Sequence, residues 1–166
     1  MNGNTENADI YFSKALAVLD YHWGNYHPMQ ITIYNIMANL HISQKNMEDA
    51  NFLLQSSINC CLKVLGSSHI MTAQVHTDLG KLQVRMGYFG KALKHFKQSF
   101  HVYTYYLGEE NLQTAKSAFQ AASILDQIGH YMEAYWYASK AVSTFADEKN
   151  GKCYGRLSSI TLAAKW

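Results

Sequence analysis

The residues able to do chemistry are few in kind and poorly spaced for it. Histidines stand at His22, His27, His41, His69, His76, His95, His101 and His130, with no pair four apart, and the cysteines are Cys60, Cys61 and Cys153. A zinc centre draws its ligands from closely spaced pairs, and neither set supplies them. The run Gly87-Tyr88-Phe89-Gly90-Lys91-Ala92 ends like a phosphate loop, but it lacks the upstream glycine and the Ser or Thr after the lysine. Neighbouring cysteines with a third left over make no disulfide framework, and Cys60, between Ile58 and Leu62 in a helical pattern, reads as a buried thiol. There is no nucleophile elbow and no dinucleotide fingerprint. The expectation is a chain that is not an enzyme and takes no cofactor or metal.

Binding chemistry is better represented than catalysis. Lys91, Lys94 and Lys97 recur every third residue, with His101, Tyr103, Tyr105 and Tyr106 behind them. Charge with stacking rings suits single-stranded RNA, although lysines at that spacing also describe a solvated helix face. The formal charge of +2, from 14 Lys plus Arg against 12 Asp plus Glu, adds no general pull on nucleic acid.

The elements that would position such residues are helices. One proline among 166 residues, 48% hydrophobic and only 16% charged, argues for long helices rather than a turn-rich β fold. No apolar run approaches the ~18 residues of a membrane span, and the polar start MNGNTENADIYFSK has no signal-peptide layout. No membrane insertion and a cytoplasmic location are the resulting expectations.

A repeat organises the helices. Trp23-Gly24, Leu65-Gly66 and Leu107-Gly108 place glycines 42 residues apart, and the register holds through the segments that follow. Ala38, Gly80 and Ala122 coincide, as do Ala50, Ala92 and Ala134, and Ser57, Ser99 and Ala141. Each segment reads as two helices joined by a short turn, at Lys45-Asn46, Gly87-Tyr88 and Gly129-His130. The small residues let the helix axes approach closely, and the linker glycines end the second helices in a left-handed conformation. Ser67-Ser68 and Glu109-Glu110 are expected to supply cap and first-turn chemistry for the next helix.

This pattern resembles the tetratricopeptide repeat (TPR), in the 42-residue long-helix version found in kinesin light chains and clustered-mitochondria proteins. Those families repeat a linker L-G-x-x-H-P-x-T-A, and here it reads WGNYHPMQIT, LGSSHIMTA and LGEENLQTA. The stretch from Ala73 to Ser117 is similar to the clustered-mitochondria repeats through Ala92-Leu93, His95, Tyr103, Leu107-Gly108-Glu109, Thr114 and Ser117. The resemblance implies an all-α, right-handed α-solenoid of antiparallel helix hairpins, about eight helices in all, acting as a protein–protein interaction scaffold or adaptor. Through the clustered-mitochondria family it also implies an association with RNA.

The array is expected over residues 7–148: a lone second helix at 7–23, then full repeats at 24–65, 66–107 and 108–148. A loop at 149–154 and the start of a further repeat at 155–166 follow. Ala8 and Ala15 fall on the second-helix small positions, and Ala163 and Ala164 on the first-helix ones. Both ends therefore look cut from a longer array, exposing Tyr11, Phe12, Leu162 and Trp166; self-association through the open ends, as an architectural subunit, is the alternative.

The resemblance also implies a ligand groove lined by the first helix of each repeat. The inward positions include Asn35 and Asn39 in the first repeat, Thr77, Lys81 and Arg85 in the second, and Lys116, Phe119 and Ser123 in the third. Side-chain amides suit the backbone of an extended peptide, the basic residues favour an acidic segment, and Phe119 could seat one apolar side chain. The reading is a peptide-binding groove, with RNA on the Lys91–Lys97 stripe as the alternative.

Overall fold

The structure, a computed structural model, describes residues 3–24 and 26–147. Over them the chain is helical throughout: α1 (Gly3–Trp23), α2 (Pro28–Ser43), α3 (Met47–Val64), α4 (Ile70–Arg85), α5 (Phe89–Leu107), α6 (Leu112–Gln127) and α7 (Tyr131–Asp147). The expected count of about eight becomes seven among the described residues. The loop expected at 149–154 and the helix at 155–166, with Leu162, Ala163, Ala164 and Trp166, lie outside them.

The helices belong to two compact units, Met1–Met86 and Gly87–Trp166. In the first, α1 packs on α2, α2 on α3 and α3 on α4. Its core joins Leu19, Ile31, Met37, Leu54, Cys61, Val75, Leu79 and Leu82. In the second, α6 packs on both α5 and α7. There Ala115, Ala118, Ala121 and Ala122 of α6 are wholly buried, and Phe100 meets Tyr137 edge to face at 5.3 Å between ring centres.

All nine small residues of the repeat columns are buried: Ala38, Gly80, Ala122; Ala50, Ala92, Ala134; and Ser57, Ser99, Ala141. A larger side chain at any of them would push apart helices packed at close range, which typically costs about 1–3 kcal/mol.

The linkers do not take their caps from the serines and glutamates named above. His27, His69 and Asn111, one residue per repeat in a single column, hold the N-cap positions. His27 Nδ1 accepts from the Met29 amide at 3.2 Å, His69 Nδ1 from Met71 at 3.1 Å and Asn111 Oδ1 from Gln113 at 2.8 Å. The correction has a geometric cause: Ser67-Ser68 and Glu109-Glu110 fall in the turn preceding the cap, too early to reach the first free amides of the helix. Pro28 occupies the first helical position, where its missing N–H costs nothing.

A second linker bond runs the other way. Thr72 and Thr114 each donate a hydroxyl to the carbonyl six residues back, at Gly66 and Gly108, both at 2.8 Å. Gln30 holds the equivalent place in the first linker, its amide reaching the Gly24 carbonyl at 3.4 Å and the Asp20 carboxylate, while its own oxygen accepts from the His27 amide at 2.9 Å. All three side chains are almost wholly buried.

One column linking successive repeats changes its chemistry along the chain. Asp9 of α1 lies 3.7 Å from His41 of α2. The same register places Asn51 of α3 with Gln83 of α4, whose side-chain oxygens are buried without a hydrogen-bond partner. In the second unit it places Leu93 of α5 with Leu125 of α6, and Leu125 is buried.

Candidate peptide-binding face

The eight groove residues named from sequence fall on α2, α4 and α6, and the structure treats them differently. Asn39, Lys81, Arg85 and Lys116 are exposed, Asn35 and Phe119 are half-buried, and Thr77 and Ser123 are buried. Asn35 is already engaged: its Oδ1 accepts a 2.8 Å hydrogen bond from the hydroxyl of Ser57, a fully buried residue of α3. Its oxygen therefore ties the two helices of one hairpin together. Thr77 turns its hydroxyl back onto the Ala73 carbonyl of its own helix at 3.0 Å.

On α4, Lys81 and Arg85 stand one turn apart on the exposed surface. Lys81 Nζ lies 3.1 Å from Asp78 Oδ1, and the other oxygen of Asp78 accepts from Gln74 at 3.0 Å. An exposed pair of this kind is worth only a few tenths of a kcal/mol, so it leaves Lys81 free to exchange partners. Arg85 closes the last turn, where a cation also complements the helix dipole. On α6 of the second unit, Lys116 is the exposed cation and Phe119 lies one turn beyond it.

The lysine stripe on α5 divides in the same way. Lys97 is paired with Glu133 of α7 and sits 5.9 Å from the Tyr137 ring centre. Lys91 leans over Tyr88 at 5.3 Å, and Lys94 is exposed. One of the three charges is thus committed to holding α5 and α7 together.

The thiols are placed to pack. Cys60 and Cys61 are buried and unbridged. Burial pushes the Cys61 thiol up to about 11, with Cys60 adding to the effect, and burial followed by the nearby Asp20 carboxylate raises Cys60. Both stay protonated near neutrality and are poor nucleophiles there. Among the described residues no group of three His, Cys, Asp or Glu side chains could hold a metal ion, and no helix is long and apolar enough to cross a membrane.

At the ends, the structure separates two residues that the sequence treats alike. Tyr11 is largely exposed, whereas Phe12 packs against the core of the first unit.

What the sequence reading missed is the linker chemistry, and the signal for it was present. His27, His69 and Asn111 share one column of the 42-residue register, as do Gln30, Thr72 and Thr114.

Paired helices with small residues at their crossings, joined by capped glycine linkers, define a tetratricopeptide-repeat fold, and residues 29–104 match the family model described as Tetratricopeptide repeat. The match spans just under half of the chain. Among curated proteins it is similar to the clustered mitochondria protein homologue of Meyerozyma guilliermondii, 23% identical over 129 residues, covering 78% of this chain and 10% of that protein. It is similar also to that of Debaryomyces hansenii, 24% identical over 151 residues, covering 91% and 11%. The chain thus spans about a tenth of the length of the curated relatives it matches. Among solved structures it shares its fold with BtubC (BKLC) from P. vanneervenii, with a TM-score of 0.79 and 13% identity, covering 98% of this chain and 65% of that one. The nearly identical TPR-like repeats of a candidate kinesin light chain from Podosopora anserina give a TM-score of 0.76 and 17% identity, covering 98% and 78%.

Proposed function

We propose that this chain is a non-catalytic binding module of a cytoplasmic scaffold or adaptor, and that it captures an extended, acidic peptide segment on the first helices of its repeats. The fold class supports the general reading, since tetratricopeptide repeats are protein–protein interaction scaffolds. The observation that carries the finer one is Lys81 and Arg85, two exposed cations one turn apart on α4, in the unit where Asn39 offers an exposed amide on α2. An acidic side chain or terminal carboxylate would replace Asp78 on Lys81 and gain the guanidinium of Arg85 as a forked donor. Lys116 with Phe119 would serve the same chemistry on α6. RNA along α5 is the weaker reading, because Lys97 is held by Glu133.

The test uses fluorescent twelve-residue peptides rich in Asp and Glu, with basic and neutral peptides as controls. Binding of an acidic peptide that falls at least about tenfold in Lys81→Glu/Arg85→Glu, with helicity unchanged, supports the reading. Equal binding by the double variant, or no preference for acidic peptides, overturns it.

A further inference from the structure

His41 stands between two carboxylates from different helices. Its Nε2 is 3.7 Å from Asp9 Oδ1 on α1, and its Nδ1 is 3.9 Å from Asp49 Oδ2 on α3. Both separations exceed a hydrogen bond, and Asp9 Oδ1 and His41 Nδ1 are buried with no hydrogen-bond partner. A neutral imidazole carries one N–H and one lone pair, so it can donate to one carboxylate while its lone pair faces the other. The imidazolium carries two N–H groups and can donate to both.

The helix that would feel the difference is α1. Among its described side chains only Leu19 is fully buried, and Phe12, Ala15 and Leu16 pack half-buried on the core. Ala8 and Ala15 occupy the register positions that are wholly buried in α3, α5 and α7, yet here they are half-exposed. At its C-terminal end α1 is pinned through Asp20 to Gln30. Nearer its N-terminal end, Asp9 faces His41 at 3.7 Å, a pair that becomes ionic when the imidazole is protonated.

We propose that His41 is a proton-operated latch for α1. Protonation draws Asp9 and Asp49 onto the two ring nitrogens and fastens α1 to the α2–α3 hairpin; loss of the proton leaves one N–H for two carboxylates, removes the charge from the ring and loosens the N-terminal part of α1. The titratable and charged groups set against the ring are Asp9 from α1 and Asp49 from α3, the latter also taking an amide N–H from Asn46. Of the charged neighbours in sequence, Lys45 and Glu48 are exposed, and Lys14 of α1 leans over Tyr11. The latch concerns the docking of α1 and does not rest on the peptide-binding reading.

The test is amide hydrogen exchange of α1 in the whole chain at about pH 7.5 and about pH 5.5, corrected for intrinsic rates, the range over which histidine changes charge. The wild type is expected to gain about tenfold protection in α1 at the lower pH, the effect of one charge-assisted hydrogen bond. His41→Gln and Asp9→Asn are expected to show no gain. Because both variants keep His27 and His69, titration of the capping histidines is common to all samples. Amides of α4, in the same unit as the substitutions, report whether each variant is folded, and Asp49→Asn, altered at an exposed carboxylate, serves as the second variant, with a reduced gain expected. A wild type whose α1 protection is flat or falls, a gain that survives in His41→Gln, or a full gain in Asp49→Asn overturns the latch.

Discussion

Thr114 donates its hydroxyl to the carbonyl of Gly108 at 2.8 Å, and Thr72 repeats the bond to Gly66 at the same length one repeat earlier. The threonine of the L-G-x-x-H-P-x-T linker therefore satisfies the carbonyl of its glycine, which the left-handed turn has taken out of the helix ladder. Thr114→Val keeps the shape and removes the donor. It should lower stability by about 1–2 kcal/mol, seen as a lower urea midpoint at unchanged slope, while Thr114→Ser should recover most of the loss. Equal midpoints for Thr114→Val and the wild type would show that the bond contributes nothing.

The hairpin turns contain a position that only two repeats fill with glycine. Gly87 and Gly129 have φ of 80° and 82°, and in the first repeat Lys45 takes the same left-handed conformation at φ 64°. A side chain there is strained, so Lys45→Gly should stabilise the first unit by about 0.5–1 kcal/mol despite the extra freedom glycine has when unfolded. Gly87→Ala should cost a similar amount, and the cost would be backbone strain alone, because a Cβ at Gly87 meets nothing within 4 Å. Denaturant midpoints moving in opposite directions for the two variants are the expected result.

His95 on α5 makes the second unit sensitive to acid. Burial, reinforced by Lys94, holds its imidazole below the ordinary 6.5. As pH falls from neutrality the unfolded chain takes up a proton near 6.5 and the folded chain only at a lower pH, so stability should decline below about 6.5 and level off once the folded form titrates. His95→Gln should flatten that decline, measured as the difference between the two melting-temperature profiles. The sign is opposite to that expected for α1 docking through His41, which separates the two histidines experimentally.

The repeat was legible because helix crossings demand small side chains, and nine positions of the 42-residue register recorded that demand directly. The caps were not read correctly, because composition preferences pointed to serine and glutamate, whereas reach from the turn picks out His27, His69 and Asn111. The candidate face was only partly legible. Helical spacing puts Asn35 and Asn39 on one side of α2, but it does not reveal that Ser57 of the neighbouring helix lies close enough to take the Asn35 oxygen. Thr77 shows the same difficulty, since a hydroxyl can turn back onto its own helix wherever it sits. Lys81 and Arg85 are exposed because long charged side chains stay in water unless a partner repays their burial.

The column that runs from Asp9 with His41, through Asn51 with Gln83, to Leu93 with Leu125 makes the repeats non-interchangeable. An acid stands 3.7 Å from a base at the first joint, and the register sets amide with amide at the second and hydrocarbon with hydrocarbon at the third. Exchanging or duplicating one repeat would set a carboxylate or an amide against leucine, however well the glycines and alanines aligned.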